Sequence, residues 1–165
     1  MRLAVPIALS IGVFVLDQAT KRLAEAVFSE SMRAIAVTPF FNLVLSHNRG
    51  ISFGLLRSEH PYAPYVLVFV ALTIVVGLAV WLWRSDRAIE RLGLSAILGG
   101  AISNVVDRLE DGAVTDFLDF YVGTYHWPAF NLADTAIFCG VVALLFASVW
   151  PRSTATKLHA ADDQE

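Results

Sequence analysis

Charge is scarce in this sequence: 16% of its 165 residues are Asp, Glu, Lys or Arg, well under the roughly 25% of a soluble domain. With 56% apolar residues, such a chain points to a membrane and, at this length, to one domain. Cysteine is nearly absent as well. The lone Cys139 excludes an internal disulfide, and no CxxC or HExxH run offers a redox pair or a zinc motif. His47, His60, His126 and His159 are scattered without metal-ligand spacing, so neither a metal nor a cofactor is expected. The 12 basic residues gather into no patch, which argues against nucleic acid as a partner.

What the chain does have is apolar runs, at Leu3–Leu16, Tyr62–Trp83, Leu92–Val106 and Ala129–Trp150. A helix needs roughly 20 residues to cross the hydrocarbon. The second and fourth runs suffice as they stand. The first and third continue into "DQATKR" and "DRLED", which extend them to the interface, so spans are expected at about 3–24, 62–83, 90–109 and 129–150. The first run also fits the n-region and h-region of a cleaved signal peptide. No small-x-small cleavage site follows it, however, and "LDQATKRLAEAVF" continues the helical pattern, so it reads as a retained span.

Four spans put both termini on one side, together with the loop 84–91. That side carries Arg2, Arg84, Arg87, Arg91, Arg152 and Lys157, or 6 basic residues in 25; the other side carries Lys21, Arg22, Arg33, Arg49, Arg57 and Arg108, or 6 in 66. The greater density places the termini in the cytoplasm. On the other side, residues 35–56 are rich in β-branched and aromatic residues with Pro and Gly as punctuation, and read as a small β-rich cradle. Residues 107–127 read as a loop with five acids, and the tail 151–165 reads as disordered by composition. The fold expected is therefore a mainly α membrane protein, one domain over 1–150, with four transmembrane helices and that cradle between spans 1 and 2.

Several polar residues stand out against this background. Asp116 in "VTDFLDF" and Asp134 in "FNLADTAIF" flank a connection that can fold back and bring them together. Two carboxylates sharing a site cannot both ionise easily, so they hold one proton between them and can polarise a water for attack on an amide. A plain helix cap at Asp134 and a solvated loop acid at Asp116 are the alternative. In "GGAISNVVDR" the small residues Gly99, Gly100 and Ser103 suit close helix contact. Asn104 and Arg108 share a face there, with Asp107 as a plausible partner of Arg108. In "LDQATK", Asp17 and Lys21 have the spacing of a helical ion pair. "HNRGISFG" puts Asn48 and Gly50 in a turn. Each has a purely structural reading, yet all these polar positions fall at one membrane surface.

The order "DQATK", "NRGISFG", "GGAISNVVDR", "VTDFLDF" and "FNLADTAI" resembles the lipoprotein signal peptidase family (signal peptidase II), the membrane aspartic proteases of bacteria, across nearly the whole chain. The resemblance implies that Asp116 and Asp134 are the catalytic pair. It implies that Asp17, Lys21, Asn48, Gly50, Gly100, Asn104, Arg108, Asn131 and Ala133 shape the site and hold substrate. It also implies an aspartic endopeptidase of the inner membrane, acting at the extracytoplasmic face and cutting diacylglyceryl-modified prolipoproteins before the lipidated lipobox Cys, with globomycin-type peptides as inhibitors and membrane lipids as surroundings. The 35–56 segment would cradle the peptide by strand pairing, and the 107–127 loop would close over it. The chain departs from the family pattern at Ile51-Ser52, where Ala-Ala is frequent, and at Ser103, where Gly is common. Asp119 is a neighbouring acid that the motif does not select. The rivals are a small proton-coupled transporter or channel subunit, which predicts acids near the bilayer midplane, and a structural assembly protein, which would tolerate neutralising either acid.

Overall fold

The computed structural model describes residues 2–28, 34–50 and 62–149. Residues 51–56 of the expected cradle and the tail 151–165 lie outside them. The described chain forms four helices, α1 (Ala4–Val27), α2 (Ala63–Arg84), α3 (Ala88–Glu110) and α4 (Leu132–Val149), each long and apolar enough to cross a membrane.

Helix α3 is the centre of the bundle and packs against the other three. Its sequence explains why. A Cβ on Gly99 would stand 2.5 Å from the Ser10 carbonyl of α1, and one on Gly100 would stand 2.5 Å from the Ala133 carbonyl of α4. The missing side chains let three backbones approach closely, which is how helices associate where water supplies no hydrophobic drive. Gly93 and Gly140 repeat the device further along the α3/α4 seam. Helix α2 packs chiefly on α3 and leaves Tyr65, Phe69, Ile74, Val76 and Trp83 exposed. Such a face suits lipid. At the bundle end that carries the α2–α3 joint, Arg2 ion-pairs with Asp86 and donates to the Ser85 carbonyl at 2.6 Å.

At the other end sits an antiparallel sheet in the order β1 (Ala34–Thr38), β2 (Phe41–Asn48), β3 (Val114–Val122) and β4 (Tyr125–His126). The connection between α3 and α4, read from sequence as a loop, thus supplies half the strands. Val, Thr, Phe, Leu and Tyr favour a strand in "VTDFLDFYV", but two aspartates interrupt the apolar pattern. Gly123, at φ 62°, turns β3 into β4, as a two-residue hairpin requires. Phe117 of β3 packs with Ala24 and Phe28 at the end of α1, and Ile35, Leu43, Leu45, Leu118 and Leu132 surround them. This small core ties the sheet to the helix ends and sets where β3 enters the site.

Candidate active site

Asp116 is the third residue of β3 and only 2% exposed. Its surroundings depend on a β-bulge in β2. Leu43 pairs with Leu118, but the next ladder partner of Asp116 is Ser46, so β2 spends one residue more than β3 over this stretch. The extra residue moves every later β2 side chain to the opposite face. Without it, His47 would take the diagonal position beside Asp116. With it, Asn48 does, and its Nδ2 donates to Asp116 Oδ2 at 3.2 Å. Asn48 Oδ1 in turn accepts the Gly50 N–H at 3.0 Å, and the Gly50 carbonyl accepts from Arg108 Nη2 at 3.2 Å.

The second acid is placed by a helix cap. Asn131 precedes α4, and its Oδ1 accepts the backbone N–H of Asp134 at 2.9 Å, the bond that an N-cap side chain makes to a first-turn donor. Its Nδ2 points the other way and donates to Asp116 Oδ1 at 2.7 Å. One fully buried side chain therefore touches both acids. Asp134 Oδ1 also accepts from Asn104 Nδ2 of α3 at 2.9 Å.

Beneath the pair lies a buried ionic cluster. Lys21 Nζ stands 2.6 Å from Asp17 Oδ2 and 2.6 Å from Asp107 Oδ2, and donates to Asn104 Oδ1 at 2.9 Å. Asp17 Oδ1 accepts the Ala133 N–H at 2.7 Å, so a carboxylate from α1 meets the positive end of α4. Ser103 Oγ donates to Asp17 Oδ2 at 2.7 Å, and Gln18 Nε2 reaches Ser103 Oγ at 3.1 Å and Asp107 Oδ1 at 2.6 Å. Buried charges at this density persist only when every partner is present. Gly100 allows the contact with Ala133, and hence with the first turn that carries Asp134.

Electrostatically the pair suits a shared proton. Burial, and after it the nearby charge of Asp134, raise the Asp116 carboxyl to about 7, against the opposing effect of hydrogen bonds from Asn48 and Asn131 and of the charge of Lys21. A carboxyl that titrates near neutrality is available both as acid and as base at physiological pH.

The eleven positions singled out by motif are thus joined by direct bonds and close helix contacts: Asp17, Lys21, Asn48, Gly50, Gly100, Asn104, Arg108, Asp116, Asn131, Ala133 and Asp134. Two assignments differ from the sequence reading. Asp107 pairs with Lys21 across the α1/α3 seam, while Arg108 turns back to the Asn104 carbonyl at 3.0 Å and out to Gly50. Gln18 was not singled out, although its place beside Asp17 in "LDQATK" was a signal. Asp119 projects from the opposite face of β3 to Asp116, as an odd spacing requires. There it accepts from Asn42 Nδ2 at 2.9 Å and lies 2.9 Å from His126 Nδ1. Among the described residues, no group of three His, Cys, Asp or Glu side chains is arranged to hold a metal ion.

The profile of the family described as Signal peptidase (SPase) II matches residues 9–150. The lipoprotein signal peptidase of Nitrobacter hamburgensis is 44% identical over 147 residues, covering 86% of this chain and 90% of its own length. That of Francisella tularensis subsp. novicida is 38% identical over 147 residues, covering 87% and 91%. A solved structure described as a bacterial membrane enzyme superposes with a TM-score of 0.77 at 25% identity, covering 88% of each chain.

Proposed function

The chain belongs to the signal peptidase II family, and we propose that it works as an aspartic endopeptidase in which Asp116 and Asp134 share one proton. Its activity is removal of signal peptides from prolipoproteins. The observation that carries the aspartic reading is the Asn131 side chain, bonded at once to Asp116 Oδ1 and to the backbone of Asp134, with burial and the Asp134 charge together raising the Asp116 carboxyl to about 7. In this mechanism the ionised member takes a proton from water as the oxygen attacks the scissile carbonyl. The protonated member donates to the carbonyl oxygen. Collapse of the tetrahedral intermediate then expels the amine, which leaves with a proton returned by the pair.

The remaining motif residues act through these two. Asn104, Asn131 and Asn48 orient the carboxylates. Asp17, Lys21, Gly100 and Ala133 hold α1, α3 and α4 together beneath them, and Arg108 and Gly50 link α3 to the end of β2. Residues 1–150 act as one membrane protease domain. The loop-charge asymmetry supports termini in the cytoplasm and a site at the extracytoplasmic face of the inner membrane. The substrate is a prolipoprotein whose lipobox Cys carries diacylglycerol, cut before that Cys, and globomycin-type peptides inhibit. A site at the mouth of an apolar bundle suits a scissile bond held there by a signal helix and acyl chains.

The test is cleavage of a diacylglyceryl-modified lipobox peptide by the detergent-purified protein beside Asp116→Asn, Asp134→Asn and an unlipidated peptide. Only the wild type should cut, and only the lipidated peptide. Loss of about 10²- to 10⁴-fold or more is expected for either variant, with thermal unfolding showing that each is folded. Near-wild-type turnover in a folded variant would overturn the two-carboxylate mechanism.

A further inference from the structure

At the bundle end away from the sheet, the joint between α2 and α3 encloses a hollow. Trp81, Arg84, Ser85, Asp86, Arg87 and Glu90 line a space of about 500 Å³, within the roughly 300–1,000 Å³ of small-molecule sites. Its charges do not balance. Glu90 is taken up by Arg87, whose Nη1 lies 3.2 Å from Oε1, and by the Ser85 hydroxyl, which donates to Oε2 at 2.8 Å. Arg87 also donates to the Ala147 carbonyl of α4. Asp86 ion-pairs with Arg2, which holds the Ser85 carbonyl as well. Three arginines thus meet two acids. The cation left over is Arg84, whose guanidinium makes no hydrogen bond or ion pair among the described residues. The carbonyl end of α2 accounts for a cation here, but not for a hollow beside it.

Two further features bear on what neutralises it. Helix α3 starts at Ala88, and its N-cap Arg87 makes no side-chain cap. Its first-turn N–H groups therefore lack a capping acceptor, and Arg87 and Glu90 of that turn border the hollow. The second feature is aromatic. Trp81 is 46% exposed and Trp83 73% exposed, at the end of a helix whose wall suits lipid. Tryptophan concentrates at headgroup depth, so the hollow lies level with lipid phosphates.

We propose that this hollow binds the headgroup of one anionic phospholipid of the phosphatidylglycerol type, its phosphodiester on Arg84 and the first turn of α3. The acyl chains then run along α2, past the exposed Val80 and Val76. A phosphodiester brings one negative charge, which matches the single cation left over, and guanidinium meets phosphate oxygens in a bidentate fork. Basic pockets between spans take up anionic headgroups by this chemistry. A zwitterionic lipid brings its own cation and leaves the excess in place. Free phosphate offers the same oxygens, but nothing for the apolar wall of α2.

The test is native mass spectrometry of the full chain released from detergent, titrated with phosphatidylglycerol, phosphatidylcholine or inorganic phosphate. It requires no turnover, so its outcome is independent of the carboxylate mechanism. One phosphatidylglycerol should bind in preference to phosphatidylcholine, and Arg84→Gln should weaken it about tenfold. Arg91→Gln removes a cation from the same end without touching the lining, and should change the affinity by less than about twofold. Asp86→Asn removes an acid from the lining and frees Arg2, so it should tighten binding several-fold, a gain that misfolding cannot imitate. Unchanged affinity in Arg84→Gln, equal losses in the two arginine variants, no gain in Asp86→Asn or equal binding of phosphatidylcholine would each overturn the proposal. Displacement of the lipid by millimolar inorganic phosphate would do so too, since the site would then take the free ion.

Discussion

The Asn131 amide nitrogen lies 2.7 Å from Oδ1 of Asp116, and neither residue is more than 2% exposed. This bond joins a strand to a helix cap and orients a carboxyl whose proton the proposed mechanism needs. Asn131→Ala removes it together with the cap on the Asp134 N–H. A hydrogen bond to a charged group is worth about 1.5–3 kcal/mol, so kcat should fall about ten- to hundredfold, with KM for a lipidated peptide changed far less. Steady-state kinetics on that peptide checks the split.

In the proposed mechanism the raised Asp116 carboxyl gives the activity an alkaline limb. Above about 7 the shared proton is lost, so kcat/KM should fall as pH rises through neutrality. Asp134→Asn, which removes the like charge, should lower the Asp116 titration point, read by infrared absorption of the protonated carboxyl.

Stability follows the same titration. The folded Asp116 carboxyl titrates near 7 against 3.8 as the ordinary value, so the folded state holds this proton more tightly than the unfolded one. Its contribution is greatest in acid and is lost as pH rises from about 4 through about 7. Asp116→Asn keeps the neutral form at every pH. It should therefore raise Tm more at pH 8 than at pH 5, an order of a few kcal/mol at most. Equal shifts at both pH values would contradict the burial argument.

Two glycines in transmembrane helices should respond oppositely to alanine. At Gly100 the new methyl meets the Ala133 carbonyl at 2.5 Å, whereas at Gly77 nothing lies within 4 Å. Gly100→Ala should cost about 1–3 kcal/mol by overpacking and reduce turnover by displacing the first turn of α4. Gly77→Ala should leave activity intact and stabilise by about 0.5–1 kcal/mol. Thermal unfolding in detergent, paired with the cleavage assay, separates them.

Lys21 ion-pairs with both Asp17 and Asp107. Lys21→Met leaves two buried carboxylates unmatched, which typically costs about 3–5 kcal/mol. The protein should unfold at a markedly lower temperature, while Ser103→Ala, which removes the hydroxyl that donates to Asp17 and accepts from Gln18, should cost about 1.5–3 kcal/mol.

Much of this was legible in the sequence because the bilayer makes polar residues conspicuous. Asp17, Lys21, Asn104 and Asp134 stand in apolar helices, where only a partner justifies them, and the four-residue spacing of Asp17 and Lys21 puts that pair on a shared face. The strand β3 was less legible. Asp116 and Asp119 resemble solvated loop acids, but both are buried, and their partners Asn42 and Asn131 are distant in sequence. The bulge in β2 was invisible for the same reason. Nothing local in "FNLVLSHN" marks the extra residue; it appears only once Leu43 and Ser46 are matched to their partners on β3.

The two acids also differ in when they become available. Asp116 lies before the fourth helix, and Asp134 and its Asn131 cap come with it. A chain still leaving the ribosome, with α1 to α3 already inserted, holds one carboxyl and no partner for it. The pair comes into existence only when α4 enters the bilayer, packs on Gly100 and accepts the Asp17 carboxylate at Ala133. On the two-carboxylate mechanism proposed above, biogenesis therefore ends with activation, and a half-built copy lacks the pair needed to cut the apolar segments emerging beside it.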